Sequence, residues 1–125
     1  MKPSMTYKFL FDTYAIIEIL KGNKNYQKYE PSEIVITNFI FAELSYILYR
    51  EKDPLAENYL TKYAHHITSV NPEWIQEAMQ FRLAWKDRKV SITDCVGYIM
   101  ARKLGIPFLT GDKEFENLED VEFVK

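Results

Sequence analysis

Four acidic residues, Asp12, Glu43, Asp94 and Asp112, stand where an α/β chain places its chemistry. Asp12 ends an apolar, aromatic run, and Asp112 lies two residues beyond a second apolar run that ends at Thr110. In an open parallel sheet, ligands bind beyond the carboxyl ends of the strands. If these two strands are neighbours, both carboxylates enter one crevice. Each Asp is also an ordinary turn and cap residue. Glu43 sits on a helical stripe with Phe39, Ile40, Tyr46 and Ile47, and neither Lys nor Arg occurs between Asn38 and Tyr49. A lone carboxylate on such a face is costly unless it finds a partner. Two readings stay open for it: it reaches solvent or a distant Arg, or it is a metal ligand. Asp94 is the third residue after Ser91, which is the acidic position of a capping box. Gly97 and Ala101 leave space above its face, and a helix N-terminus supplies N–H groups for a phosphate. Cap and ligand roles are compatible.

Together the four carboxylates suit a hard divalent cation such as Mg²⁺ or Mn²⁺, which takes oxygen ligands. Such a site orients a phosphodiester, activates water and stabilises a leaving oxyanion. Other machineries are poorly represented. The chain has no GxxxxGK[ST], GxGxxG or GxSxG motif. His65 and His66 are adjacent and so point different ways at a helix end, and Cys95 reads as a small buried hydrophobe.

The elements that must position these acids follow from pattern and punctuation. Strands are expected at Tyr7–Phe11, Ile34–Thr37, Ile67–Val70, Ile106–Thr110 and Val121–Val124. Helices are expected at Ala15–Leu20 before Gly22, and from Phe39 to about Arg50 with Asn38 as N-cap. Asp53-Pro54 opens a helix to about His65, and Asn71-Pro72 opens one ending near Arg88. The most regular helix starts at Ser91 and stops after Leu104 at Gly105. The stretch Asn23–Glu33 is a loop or an irregular helix, and Glu114–Leu118 is a short turn or helix. Alternating strands and helices make an α/β fold with a mostly parallel sheet, as one domain over 1–125.

Composition narrows the class. The 125 residues suit one domain, and 47% hydrophobic with 27% charged residues is ordinary globular usage. A net charge of −2 disfavours a protein that coats nucleic acid. Without the four acids, 16 cationic residues face 14 acidic ones, so the rest of the chain carries +2. A single cysteine suits a reducing compartment, no apolar run nears the roughly 18 residues of a membrane span, and the N-terminus lacks a signal-like apolar stretch. A cytoplasmic domain is expected. Aromatic residues reach 15%, the helix from Phe39 is apolar nearly all round, and the helix from Pro54 adds Leu55, Tyr59, Leu60 and Tyr63, which points to an interface. Lys86, Arg88 and Lys89 are either RNA-phosphate contacts or cations finishing a helix in solvent.

The segments Phe9-Leu10-Phe11-Asp12-Thr13, Ala42-Glu43-Leu44, Ser91-Ile92-Thr93-Asp94 and Thr110-Gly111-Asp112-Lys113-Glu114-Phe115 together resemble a PIN domain. The closest type is the VapC-like ribonuclease toxin of toxin–antitoxin modules. The resemblance implies a three-layer fold and a Mg²⁺- or Mn²⁺-dependent endoribonuclease. It carries Asp12, Glu43, Asp94 and Asp112 over as metal-binding catalytic acids, Thr110 as a residue that orders them, and Thr13 and Glu116 as auxiliaries. It also implies an RNA substrate, a homodimer and a cognate antitoxin. The chain departs from the family at Tyr14, where many members have a small polar residue. Two alternatives compete: a PIN-fold scaffold acting through protein binding, and a HAD-like phosphatase. The latter needs a second Asp where Tyr14 stands.

Overall fold

Phe9, Leu10 and Phe11 present apolar side chains to both sides of a strand, so the strand belongs inside a sheet covered on both faces. In the computed structural model, which describes residues 8–125, this is the arrangement. β1 (Lys8–Phe11), β2 (Glu33–Val35), β3 (Phe108–Thr110) and β4 (Val121–Phe123) form an all-parallel sheet in the order β2-β1-β3-β4. Five helices flank it: α1 (Thr13–Leu20), α2 (Asn38–Arg50), α3 (Ala56–Ala64), α4 (Pro72–Ala84) and α5 (Ile92–Leu104). Short 3-10 turns occupy Lys24–Tyr29 and Lys113–Phe115. The result is the three-layer α/β architecture expected from the sequence. Tyr7, placed in the first strand by sequence pattern, lies outside the described residues.

The topology fixes the site. From β1 the chain passes to β2 on one side and later returns to β3 on the other, so the switch in strand order falls between β1 and β3. Leu10 pairs with Phe108 and Phe11 with Leu109, which brings the carboxyl ends of the two strands level. The Asp12 N–H continues the ladder by donating to the Leu109 carbonyl at 3.0 Å. A crevice at such a switch point is where open α/β sheets bind ligands.

Much of the aromatic surplus goes inward. Tyr98, Phe108 and Phe115 pack mutually with ring centroids 5.3 to 6.0 Å apart, and Phe81 and Trp85 of the α4 end extend the cluster. Tyr46 and Tyr49 on α2 do the opposite and stand 65% and 54% exposed.

Several local expectations are corrected. Ile67–Val70 is not a strand: only Ile67 bridges, to Ile36, because β2 has already ended and no strand follows alongside. Thr37, not Asn38, caps α2, since its buried hydroxyl accepts from the Ile40 N–H at 3.0 Å. Asp53 caps no helix. Its carboxylate accepts from the Leu55 N–H at 2.8 Å in a local turn, and α3 starts only at Ala56. Helix α4 stops at Ala84 instead of near Arg88: Trp85 leaves helical geometry at φ −105° and ψ 24°, and its ring packs 5.8 Å from that of Phe115. The undecided stretch after Gly22 is a 3-10 turn, with Asn23 accepting from the Asn25 N–H. The space at Gly97 belongs to the core: a Cβ there would meet Phe108 at 3.0 Å and Ile40 and Leu10 at 3.5 Å.

Candidate active site

Asp12 occupies the N-cap of α1, the place where an Asp side chain normally turns back to an N–H two or three residues on. It makes no such bond. Its Oδ2 instead accepts from the Thr110 hydroxyl at 2.6 Å, and the residue is only 3% exposed. Thr110 is completely buried beneath the crevice, and its Oγ1 also accepts from the Asp112 N–H at 3.0 Å. One hydroxyl therefore fixes the side chain of the first acid and the backbone of the fourth. The Asp112 Oδ1 in turn accepts from the Glu114 N–H at 3.0 Å and starts the following 3-10 turn.

Asp94 lies in the first turn of α5, where a reciprocal capping box holds it. Its N–H donates to Ser91 Oγ at 3.0 Å, and its Oδ2 accepts from the Ser91 N–H at 3.1 Å. Glu43 comes from the middle of α2, half-buried beside Ile47. Among the described residues no cation pairs with it. All four acids line one open crevice of about 660 Å³, together with Thr13, Tyr14, Ile17, Glu18, Lys21, Gly111, Lys113 and Lys125.

The charges crowd one another. Burial above all, then the Asp94 carboxylate and more weakly Glu43, push Asp12 up to about 8, against the opposing pull of the Thr110 hydrogen bond. Asp94 is also raised, first by burial and further by Asp112 and Glu43, while its bonds to Ser91 work the other way. Cys95 is fully buried and its thiol is held up near 11, which keeps it protonated and unreactive at neutral pH.

This donor set fits a hard divalent cation by chemistry, since four carboxylate groups offer only oxygen and their mutual repulsion favours a positive guest. The Thr13 hydroxyl is a second indication: it is buried at the crevice and has no hydrogen-bond partner among the described residues. Among the described residues no three acids or imidazoles stand close enough to enclose a metal ion by themselves.

Other expected residues lie elsewhere. Glu116 is exposed at the end of the Lys113–Phe115 turn and does not line the crevice. Arg88 lies over the Trp85 ring at 4.3 Å and donates to the Glu114 carbonyl at 3.0 Å, so it braces the turn after Asp112. Lys86 and Lys89 do not line the crevice either. His65 ends α3 in solvent and His66 packs edge-on to Tyr63. Glu18 and Lys21 were not singled out from the sequence, although with Tyr14 and Ile17 they form one i, i+3, i+4, i+7 stripe of α1. Lys125 has no local signal at all.

A family model for the PIN domain matches residues 9–121. No curated protein matches the sequence significantly. Among solved structures, a VapC toxin of Mycobacterium tuberculosis that cleaves the sarcin–ricin loop superposes with a TM-score of 0.72 at 15% identity, covering 91% of this chain and 98% of its own. A toxin–antitoxin complex from Klebsiella pneumoniae gives 0.75 at 16%, covering 90% and 94%. The VapBC2 complex of Rickettsia felis, bound to a fragment of its promoter DNA, gives 0.70 at 17%, covering 94% and 99%. At these identities the likeness concerns the fold.

Proposed function

The chain belongs to the PIN domain family, and from that premise we propose that it is a metal-dependent endoribonuclease acting as the toxin of a toxin–antitoxin pair. The observation that carries the reading is the convergence of Asp12, Glu43, Asp94 and Asp112 on one crevice at the sheet's switch point, from four separate elements. The test is cleavage of an RNA pool with Mn²⁺, with EDTA, and with Asp12→Asn; activity that persists in both of the last two sinks the reading.

In this proposal the four acids hold Mg²⁺ or Mn²⁺, in part through water. When bound, such an ion supplies positive charge at the reacting phosphodiester and makes water a better nucleophile. The chain's own residues do the rest. Thr110 holds Asp12 in one orientation, Ser91 holds Asp94, and the turn at Glu114 holds Asp112. The unpartnered Thr13 hydroxyl offers a hydrogen bond at the crevice wall. No covalent intermediate is needed, in keeping with a buried, protonated Cys95 and with two histidines that do not line the crevice. Single-stranded RNA is the proposed substrate, because a flexible strand enters an open crevice more readily than a duplex.

The partner proposals rest on other features. Solved neighbours include toxin–antitoxin complexes, which supports a cognate antitoxin here. Tyr46, Tyr49 and Leu55, all about half exposed or more, support a homodimer formed through α2 and the start of α3. No helix among the described residues is long and apolar enough to cross a membrane, and a cytoplasmic site of action is part of the same proposal.

A further inference from the structure

Three lysines surround the carboxylates of the crevice, and they are not equivalent. Lys21 lies 3.8 Å from the Glu18 carboxylate, one turn back on the same helix. Lys113 is exposed at the start of its 3-10 turn. Lys125 is different because its backbone is fixed. Its main-chain oxygen accepts from Asn25 Nδ2 at 3.0 Å and from Asn23 Nδ2 at 3.5 Å. The residue before it is held on both sides: the Val124 N–H donates to the Thr110 carbonyl at 2.9 Å, and the Val124 carbonyl accepts from the Tyr26 hydroxyl. Two anchored residues thus lay the chain beside Gly111, where a Cβ would collide with the Val124 carbonyl at 2.6 Å.

The Lys125 side chain has a fixed origin and a platform. Its ammonium stands 5.3 Å from the centroid of the Tyr14 ring, and that ring is seated directly against Gly111. Among the described residues Lys125 forms no ion pair, so its charge stays available to an incoming anion. A cation on an aromatic face keeps its position without losing its charge to a carboxylate. Each nucleotide of an RNA strand brings one negative phosphodiester, and four carboxylates at the crevice floor repel it. A fixed cation at the rim offsets that repulsion.

We infer that Lys125 is a substrate-positioning residue, holding a backbone phosphate of single-stranded RNA at the mouth of the carboxylate crevice with Tyr14 as its platform. The inference rests on the ribonuclease reading above. It also gives Tyr14, the departure from the family pattern, a purpose: a ring at this position supports the lysine, which a small polar side chain does not do. A phosphate contact carries no sequence information, so its loss weakens every RNA alike.

The experiment measures binding of a fluorescein-labelled single-stranded RNA in EDTA over a range of salt, and cleavage kinetics in Mn²⁺. The proteins are wild type, Lys125→Gln, Lys125→Arg and Lys103→Gln, with melts to confirm the fold. Lys103 is a control at the far end of α5, paired to Glu77 at 2.9 Å. Lys125→Gln should weaken binding by about threefold to tenfold for RNAs of different sequence and lower the log–log salt slope by about 0.7. KM should rise by the same factor with kcat within about twofold, and Lys125→Arg should restore both. Affinity and salt slope equal to those of Lys103→Gln overturn the assignment, as does a fall in kcat at constant KM. Wild-type protein that neither binds nor cleaves RNA instead removes the ribonuclease reading, and this inference with it.

Discussion

The Thr110 hydroxyl donates to Asp12 Oδ2 at 2.6 Å, joining the ends of two adjacent strands that lie 98 residues apart in sequence. Because the same oxygen accepts from the Asp112 N–H, a single buried group registers two of the four acids. Thr110→Val keeps the shape and removes both bonds. It should cost about 1–3 kcal/mol of stability and leave a misaligned Asp12, so RNA cleavage should fall by about tenfold or more, while Thr110→Ser retains most of it. Thermal melts and cleavage rates check both; a Thr110→Val protein as active as wild type would dismiss the ordering role.

Stability in the absence of metal should fall as pH rises. Asp12 has an ordinary value of 3.8 and is pushed up to about 8 in the fold, so between those limits the native state holds a proton that the unfolded chain has released. Below about 4 the group is protonated in both states and carries no penalty. Above 8 the penalty is complete. In EDTA the melting temperature of wild type should therefore drop between pH 5 and 8. Asp12→Asn should flatten that drop and melt at least several degrees higher than wild type at pH 8. Mn²⁺ should raise the wild-type value at pH 8 far more than that of an Asp94→Asn, Asp112→Asn protein. A rising wild-type profile in EDTA, or equal metal shifts, would count against the crowded-carboxylate site.

Gly111→Ala should be strongly destabilising. The added methyl would stand 2.2 Å from Tyr14 Cε1 and 2.6 Å from the Val124 carbonyl, and the second of these is hydrogen-bonded backbone that cannot swing away. A loss of about 1–3 kcal/mol is expected, with partial rescue by Tyr14→Ala, which removes the nearer clash but not the farther. Chemical denaturation of the single and double variants measures it, and an unaffected single variant would show that the crevice wall is looser than described.

The exposed tyrosines of α2 should mediate self-association. Light scattering at micromolar concentration should give a dimer for wild type, and Tyr46→Ser with Tyr49→Ser should shift it toward monomer without lowering the melting temperature of the monomer. A monomer throughout for wild type would leave that face without the proposed partner.

Signals carried by neighbouring residues were legible in the sequence. The apolar run stopped by Asp12, the Ser91–Asp94 capping box and Gly105, at φ 69° past α5, each specify local geometry by residue type, and the structure follows them. Where two residues competed for one role, tertiary burial decided. Thr37 took the α2 cap from Asn38 because Thr37 is wholly buried under the helix start and Asn38 is exposed. Ile67–Val70 has strand-like residues but finds a partner only at Ile67, which bridges to Ile36, and a strand extends only as far as its pairing. At the crevice, strand-end placement and helical stripe brought Asp12, Asp112 and Glu43 into view. Lys125 was invisible because nothing near it in sequence shows that its backbone returns past Thr110 and Asn25.

If the four carboxylates act through a divalent ion on an RNA phosphodiester, purified protein cleaves a mixed RNA pool, and that cleavage is the direct measurement. Wild type with Mn²⁺ should cleave, and both EDTA and Asp12→Asn should abolish most of that activity, because the amide keeps the shape of the side chain while removing its charge. Cys95→Ser and His65→Gln, which alter groups outside the crevice, should cleave at nearly the wild-type rate. Cleavage that survives both EDTA and Asp12→Asn would contradict the metal-dependent mechanism outright.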